Sequence, residues 1–134
     1  VGSEMCIRDR YLFNASIKEN IVLGGEFSGM AISDALFKSS LQNDIENFKD
    51  GIDTIVGENG ANISGGEKQR IAIARSLING KDTILIDEGT SALDRENRAA
   101  IEENLLKSEN LTIIMVSHNL DENTRKLFDE IYEI

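Results

Sequence analysis

Two short groups of residues have the types and setting for chemistry on a phosphate or a metal ion. Asp87-Glu88 follows the apolar run Thr83-Ile84-Leu85-Ile86, and Ser117-His118 follows a second run from Thr112 to Val116. Continuous β-branched runs of this kind read as strands buried on both faces of a parallel sheet. Ligands of open α/β sheets bind beyond the carboxyl ends of the strands, so all four polar residues are expected at one edge. Adjacent carboxylates there suit a division of labour in which one orients Mg2+ through water and the next polarises an attacking water. The same residues also suit a plainer use: Asp87 as a turn cap, Glu88 as a solvated carboxylate, His118 as a hydrogen-bonded loop histidine. Ser64-Gly65-Gly66-Glu67 is equally two-sided. S-x-x-E is a capping box, yet a glycine-rich helix N-terminus also offers N–H groups and partial positive charge to an anion.

The elements that must position these groups follow from periodicity and punctuation. Residues 64–79 carry the strongest helix signal, with Ile71, Ala74 and Ile78 on one face and Gly80 as the stop. A further helix over about 95–107 spaces Ile101 and Leu105 by four. Strand, helix, strand with that crossover is a βαβ unit with parallel strands. Upstream, Asn14 or Ser16 caps a helical turn through Ile17, Asn20 and Ile21, and residues 30–41 form an amphipathic helix with Ile32, Ala35, Leu36, Phe37 and Leu41 on its apolar side. Residues 43–53 read as polar and turn-rich, and 54–61 as a glycine-broken loop. A short helix is expected over 121–128 and the start of a strand over 130–134.

Composition narrows the function classes. The 134 residues hold 14 Lys+Arg against 24 Asp+Glu, a net charge of −10, which argues against non-specific binding to nucleic acid. One cysteine, Cys6, and one histidine exclude an internal disulfide framework and Cys/His zinc sites. The apolar runs are far below the ~18 residues of a membrane-spanning helix. Residues 1–10 (VGSEMCIRDR) show neither period and lack the apolar core of a signal peptide. They read as a foreign segment joined to a coding sequence that starts near Tyr11, and are expected to be frayed.

The run Ile63-Ser64-Gly65-Gly66-Glu67-Lys68-Gln69-Arg70-Ile71-Ala72-Ile73-Ala74-Arg75 resembles the signature motif and helix of ATP-binding cassette (ABC) ATPases. Ile84-Leu85-Ile86-Asp87-Glu88 resembles their Walker B strand and catalytic glutamate, Ser91-Ala92-Leu93-Asp94 their D-loop, and His118 their switch histidine. Ser16-Ile17-Lys18-Glu19-Asn20-Ile21 and Thr54-Ile55-Val56-Gly57-Glu58-Asn59-Gly60 are similar to exporter-type segments. The resemblance covers residues 11–134 and implies an α/β fold, part of a P-loop NTPase. A helical signature subdomain over about 11–80 would precede a parallel βαβ core over about 81–134.

It further implies ATP and Mg2+ as ligands, with Ser64, Gly65, Gly66, Glu67 and Asp94 on the nucleotide side, Asp87 on the metal, and Glu88 and His118 catalytic. The implied partners are a second nucleotide-binding domain, closed head to tail, and the coupling helices of a transmembrane domain at residues 54–60, on the cytoplasmic face of a membrane. The phosphate loop G-x-x-x-x-G-K-[ST] is not found in these residues, and neither is an upstream adenine-stacking aromatic. The chain therefore reads as the C-terminal part of such a domain, inactive by itself. Glu67 replaces the commoner Gln and brings a negative charge toward an expected triphosphate. Gly89 replaces the usual Pro and loosens a turn. A soluble chromosome-maintenance or repair ATPase would share the motifs but carry heptad coiled coil before the signature, and the region before Ser64 is short and glycine-broken. A non-catalytic remnant is the third reading.

Overall fold

The computed structural model describes residues 4–6, 11–87, 95–118 and 120–134. Three strands, β1 (Glu4–Cys6), β2 (Thr83–Asp87) and β3 (Thr112–Val116), form one parallel sheet in the order β1-β2-β3. The helices are α1 (Ile17–Val22), α2 (Gly29–Lys38), α3 (Gln42–Asn47), α4 (Gly65–Ile78), α5 (Arg95–Leu106) and α6 (Glu122–Arg125). The β2, α5, β3 crossover is the expected parallel unit, and β2 and β3 pair from Thr83↔Thr112 to Asp87↔Val116.

α4 organises the packing because both of its sides are buried. Ile71 and Ala74 join Leu12, Ile17, Ile21, Leu36, Leu41 and Val56 in one core. Ile73, on the opposite side, joins Ile84 and Ile86 of β2 and Ile101 and Leu105 of α5 in the other, while Leu77 packs against both. Gly80, at φ +70°, turns the chain from α4 toward β2 in the left-handed conformation that glycine adopts without strain.

Several local expectations need correction. Of the two candidate caps, it is Ser16 that caps α1, through a reciprocal box with Glu19. Phe37 was expected on the apolar side of α2 but is 63% exposed, while Leu41, expected on the same helix, is buried beyond its end, after Ser40 turns the chain with a positive φ. Part of the turn-rich stretch folds as α3 followed by a 3₁₀ turn at Gly51–Asp53, since Ile45, Phe48 and Ile52 pack against the first core. The strands are not covered on both faces: Ile84 and Ile86 are buried, whereas Ile114 and Val116 are about half exposed (52% and 51%). Glu4–Cys6, expected to fray, pairs with Thr83–Leu85 as β1. No strand forms over 130–134.

Because Ile73 is the fully buried residue that α4 gives to the second core, Ile73→Ala is expected to cost about 2–5 kcal/mol in denaturant unfolding. Met30→Ala, at a largely exposed position of α2, is expected to stay within about 0.5 kcal/mol.

Candidate functional site

The N-terminus of α4 is built by its own side chains. Ser64 is the N-cap: its Oγ accepts from the N–H of Glu67 (3.2 Å), and Oε2 of Glu67 accepts from the N–H of Ser64 (2.8 Å). Glu67, expected on the nucleotide side, thus spends its carboxylate on the helix start. The box leaves the N–H groups of Gly65 and Gly66 as the remaining orphan donors of the first turn. Ser64 and Gly65 are exposed, so this positive end of the helix dipole faces solvent. Arg70, a turn further on and buried, holds α4 to α3 through Asp44 (Nε to Oδ2, 2.6 Å).

Deeper along α4, Arg75 is almost wholly buried and bonds only to neutral oxygens. Its Nε donates to the carbonyl of Asn20 (2.7 Å), Nη1 to the carbonyl of Tyr11 (3.0 Å) and Nη2 to Oδ1 of Asn20 (3.2 Å). Burial pushes its pKa down. Asn20, also buried, receives the N–H of Phe13 on Oδ1 (2.8 Å) and donates Nδ2 to the carbonyls of Phe13 and Ser16 (each 3.0 Å). These bonds clasp residues 11–13 onto α1 and α4. On the outside of the clasp the rings of Tyr11 and Phe13 meet edge to face at 5.4 Å, and both are more than half exposed.

The loop at residues 54–60 is tied to the same segment. Ile17 N–H donates to the carbonyl of Thr54 and Val56 N–H to that of Ala15 (each 3.0 Å), around an antiparallel bridge of Ser16 and Ile55. Gly60, packed against Lys68 Cε and Leu12 Cδ1, sits at φ +70°, a left-handed conformation that glycine adopts without strain. Exposed Ile55 therefore lies beside the segment that carries Tyr11 and Phe13.

At the sheet, the register places Asp87 opposite Val116, so Asp87 and the residues after β3, Ser117 and His118, stand at one carboxyl edge. Ser117 Oγ accepts from Arg98 Nη2 (3.0 Å), and Arg98 Nε pairs with the buried Glu102 (2.8 Å). His118 is exposed. Glu88 and Asp94 lie outside the described residues. Among the described residues no three His, Cys, Asp or Glu side chains group to hold a metal; Mg2+ characteristically takes one or two carboxylates and completes its shell with phosphates and water.

Sequence reasoning passed over Asn20, Arg75 and Arg98 as functional positions. Arg98 and Glu102 had a signal, the i,i+4 spacing of opposite charges. Arg75 had none, because its acceptors, two carbonyls and the Asn20 side chain, lie far away in the sequence.

Residues 3–91 match the ABC transporter family. The chain is 40% identical over 124 residues to the ATP-dependent lipid A-core flippase of Vibrio cholerae serotype O1, covering 90% of this chain and 21% of that protein. It is 41% identical over 118 residues to the leukotoxin translocation ATP-binding protein LktB of a Pasteurella haemolytica-like species, covering 85% and 16%. A solved bacterial Atm1-family ABC exporter with ATP bound superposes with a TM-score of 0.79 at 34% identity, over 87% of this chain and 21% of that one. The chain thus spans about a fifth of the length of these relatives.

Asn20→Ala strands the N–H of Phe13 and removes one bond of Arg75, and is expected to cost about 1–3 kcal/mol in chemical denaturation. Glu19 holds a pKa below its ordinary 4.5, chiefly because the backbone N–H of Ser16 bonds its carboxylate, with the Ser16 hydroxyl adding to this. A lowered folded-state pKa stabilises above 4.5 and loses that stabilisation as pH falls through the lower folded value. Glu19→Gln should therefore flatten the acid limb of the stability profile below pH 4.5, read by circular dichroism.

Proposed function

Because the chain belongs to the ABC transporter family, we propose that it supplies the signature, Walker B and switch parts of an exporter-type cassette whose parent binds and hydrolyses ATP to drive export across a membrane. The observation that carries this reading is the exposed, self-capped N-terminus of α4, with Ser64 and Gly65 at the surface, in the same chain as two parallel strands that present Asp87 and His118 at one edge.

The residues present fit a triphosphate with Mg2+. The N–H groups of Gly65 and Gly66 and the hydroxyl of Ser64 form a short donor set at a positive helix end, suited to the γ-phosphate of an ATP held by a second cassette closed head to tail. Glu67 serves there by fixing Ser64, with its own charge satisfied by that N–H. Asp87 ends β2 where it would hold Mg2+ through water. The ion, when bound, neutralises charge developing on the phosphates. Glu88 orients or deprotonates the attacking water, His118 contacts the γ-phosphate, and Asp94 runs along the dimer interface. In this arrangement catalysis is positioning and charge stabilisation, as is general for phosphoryl transfer.

The transmembrane partner is assigned to the surface at residues 54–60. Its exposed Ile55, together with the Tyr11 and Phe13 rings, offers apolar area to a short coupling helix. The domain would then sit at the cytoplasmic face of a membrane and make no use of nucleic acid. Among the described residues no helix is long and apolar enough to cross a membrane.

In the intact parent, Glu88→Gln keeps the side-chain shape without the carboxylate, and turnover is expected to fall by ~10²-fold or more while ATP binding persists. Near-normal turnover would move the role to His118. The 134-residue chain by itself contains no G-x-x-x-x-G-K-[ST] run, so calorimetry with Mg·ATP should show no micromolar binding, and such binding would contradict this assignment of parts.

A further inference from the structure

Asn20 is fully buried on α1, and its amide is saturated. Oδ1 accepts from the N–H of Phe13 (2.8 Å) and from Nη2 of Arg75 (3.2 Å), while Nδ2 donates to the carbonyls of Phe13 and Ser16 (each 3.0 Å). A side-chain amide offers two lone pairs and two N–H groups, so all of its capacity is in use. Its neighbours on α1, Ile17 and Ile21, belong to the first core. An apolar residue would pack there without needing partners, and Asn is a weaker helix former than Leu. Packing of α1 therefore does not account for an amide at this position; what the amide holds does.

It holds an extended segment that has no strand pairing among the described residues. Residues 11–13 alternate, with Leu12 fully buried in the first core and Tyr11 and Phe13 exposed by 60% and 53%. Main-chain groups of such a segment need partners, and two side chains supply them. The carbonyl of Tyr11 takes Nη1 of Arg75, and the N–H and carbonyl of Phe13 take the amide of Asn20. Asn20 is itself braced, because Nε of Arg75 donates to its carbonyl (2.7 Å). Two large rings thus stand at the surface, edge to face at 5.4 Å and 85°, on a backbone fixed by buried groups. Aromatic side chains held in one geometry are the usual anchors of protein interfaces, since a surface ordered beforehand loses little freedom on binding.

We infer that Asn20, braced by Arg75, is the positioning residue of the surface that receives the membrane partner: it sets the Tyr11 and Phe13 rings so that the apolar side of a short helix of that partner seats on them. The inference rests on the proposed function above, which gives this surface, with Ile55, to the transmembrane domain. It adds the residue that makes the surface ready, and Asn20, having no exposure of its own, acts only through the rings. Ile55 is the natural reporter of docking. It is 53% exposed, is tied to this segment by its bridge to Ser16, and takes no part in the bonds of the clasp.

The test uses the intact parent transporter in membrane vesicles, freed of native cysteines with Cys6→Ser included, and a water-soluble maleimide as the probe. Ile55→Cys is expected to label about tenfold more slowly in the parent than in the 134-residue chain, as for a site reached only through local opening. Asn20→Leu keeps the side-chain size and loses the amide. Combined with Ile55→Cys in the parent, it is expected to raise the labelling rate about fivefold, with KM for ATP within about twofold. An unchanged labelling rate overturns the inference. So does equal acceleration at Ala35→Cys, a buried position of the first core, because the amide would then hold the fold rather than the surface. Should Asn20→Leu fail to fold, Arg75→Lys keeps the charge and loses the planar fork; the same acceleration is expected, and the wild-type rate overturns the inference. If Ile55→Cys labels equally fast in the parent and in the 134-residue chain, the docking surface itself is misassigned and the proposed membrane contact fails. If it is shielded but indifferent to Asn20→Leu, the positioning role alone fails.

Discussion

The buried guanidinium of Arg75 is the constraint on which the arrangement of this chain depends. A cation removed from water must recover its solvation from the protein, and Arg75 does so with oxygens from Tyr11 and Asn20 rather than with a carboxylate. Those acceptors lie on segments with no covalent reason to be near α4. Satisfying them fixes α1 and residues 11–13 against α4, and Asn79 strengthens the same junction by donating to the carbonyl of Ile21 (2.9 Å). The planar fork of Arg makes the geometry specific, because its N–H groups diverge at set angles toward separate partners.

From this junction the two functional surfaces follow. On one side, the clasp exposes the Tyr11 and Phe13 rings, and the same stretch of chain bridges to Ile55 through Ser16, the area assigned to the membrane partner. On the other, α4 extends to its capped N-terminus, the area assigned to phosphate. One helix is thus buried on both sides between two cores.

The sheet is stabilised unevenly. α4 and α5 cover one face through Ile73, Ile84, Ile86, Ile101 and Leu105, while Ile114 and Val116 stay half exposed on β3. A continuous apolar run reports that a strand belongs in a parallel sheet. It does not report which neighbours cover each face within a given stretch of chain.

What the sequence alone determined was local or motif-borne. Ser64 and Glu67 are three residues apart, so their capping box was legible, as were the 3.6-residue spacing of Ile71 and Ala74 and the run from Thr83 to Ile86 ending at Asp87. The same holds for the family, whose motifs are contiguous strings. Tertiary structure decided the choice of Ser16 over Asn14 as the cap of α1, the folding of α3 within a polar stretch, the pairing of β1, and the exposure of Phe37. It also decided the partners of Arg75, 55 and 64 positions away, and left the amide of Gln69 unmatched. The physical reason is common to all of these. Caps and periodicity depend on neighbours along the chain, whereas burial of a charge or an amide depends on which distant segments the packing brings beside it.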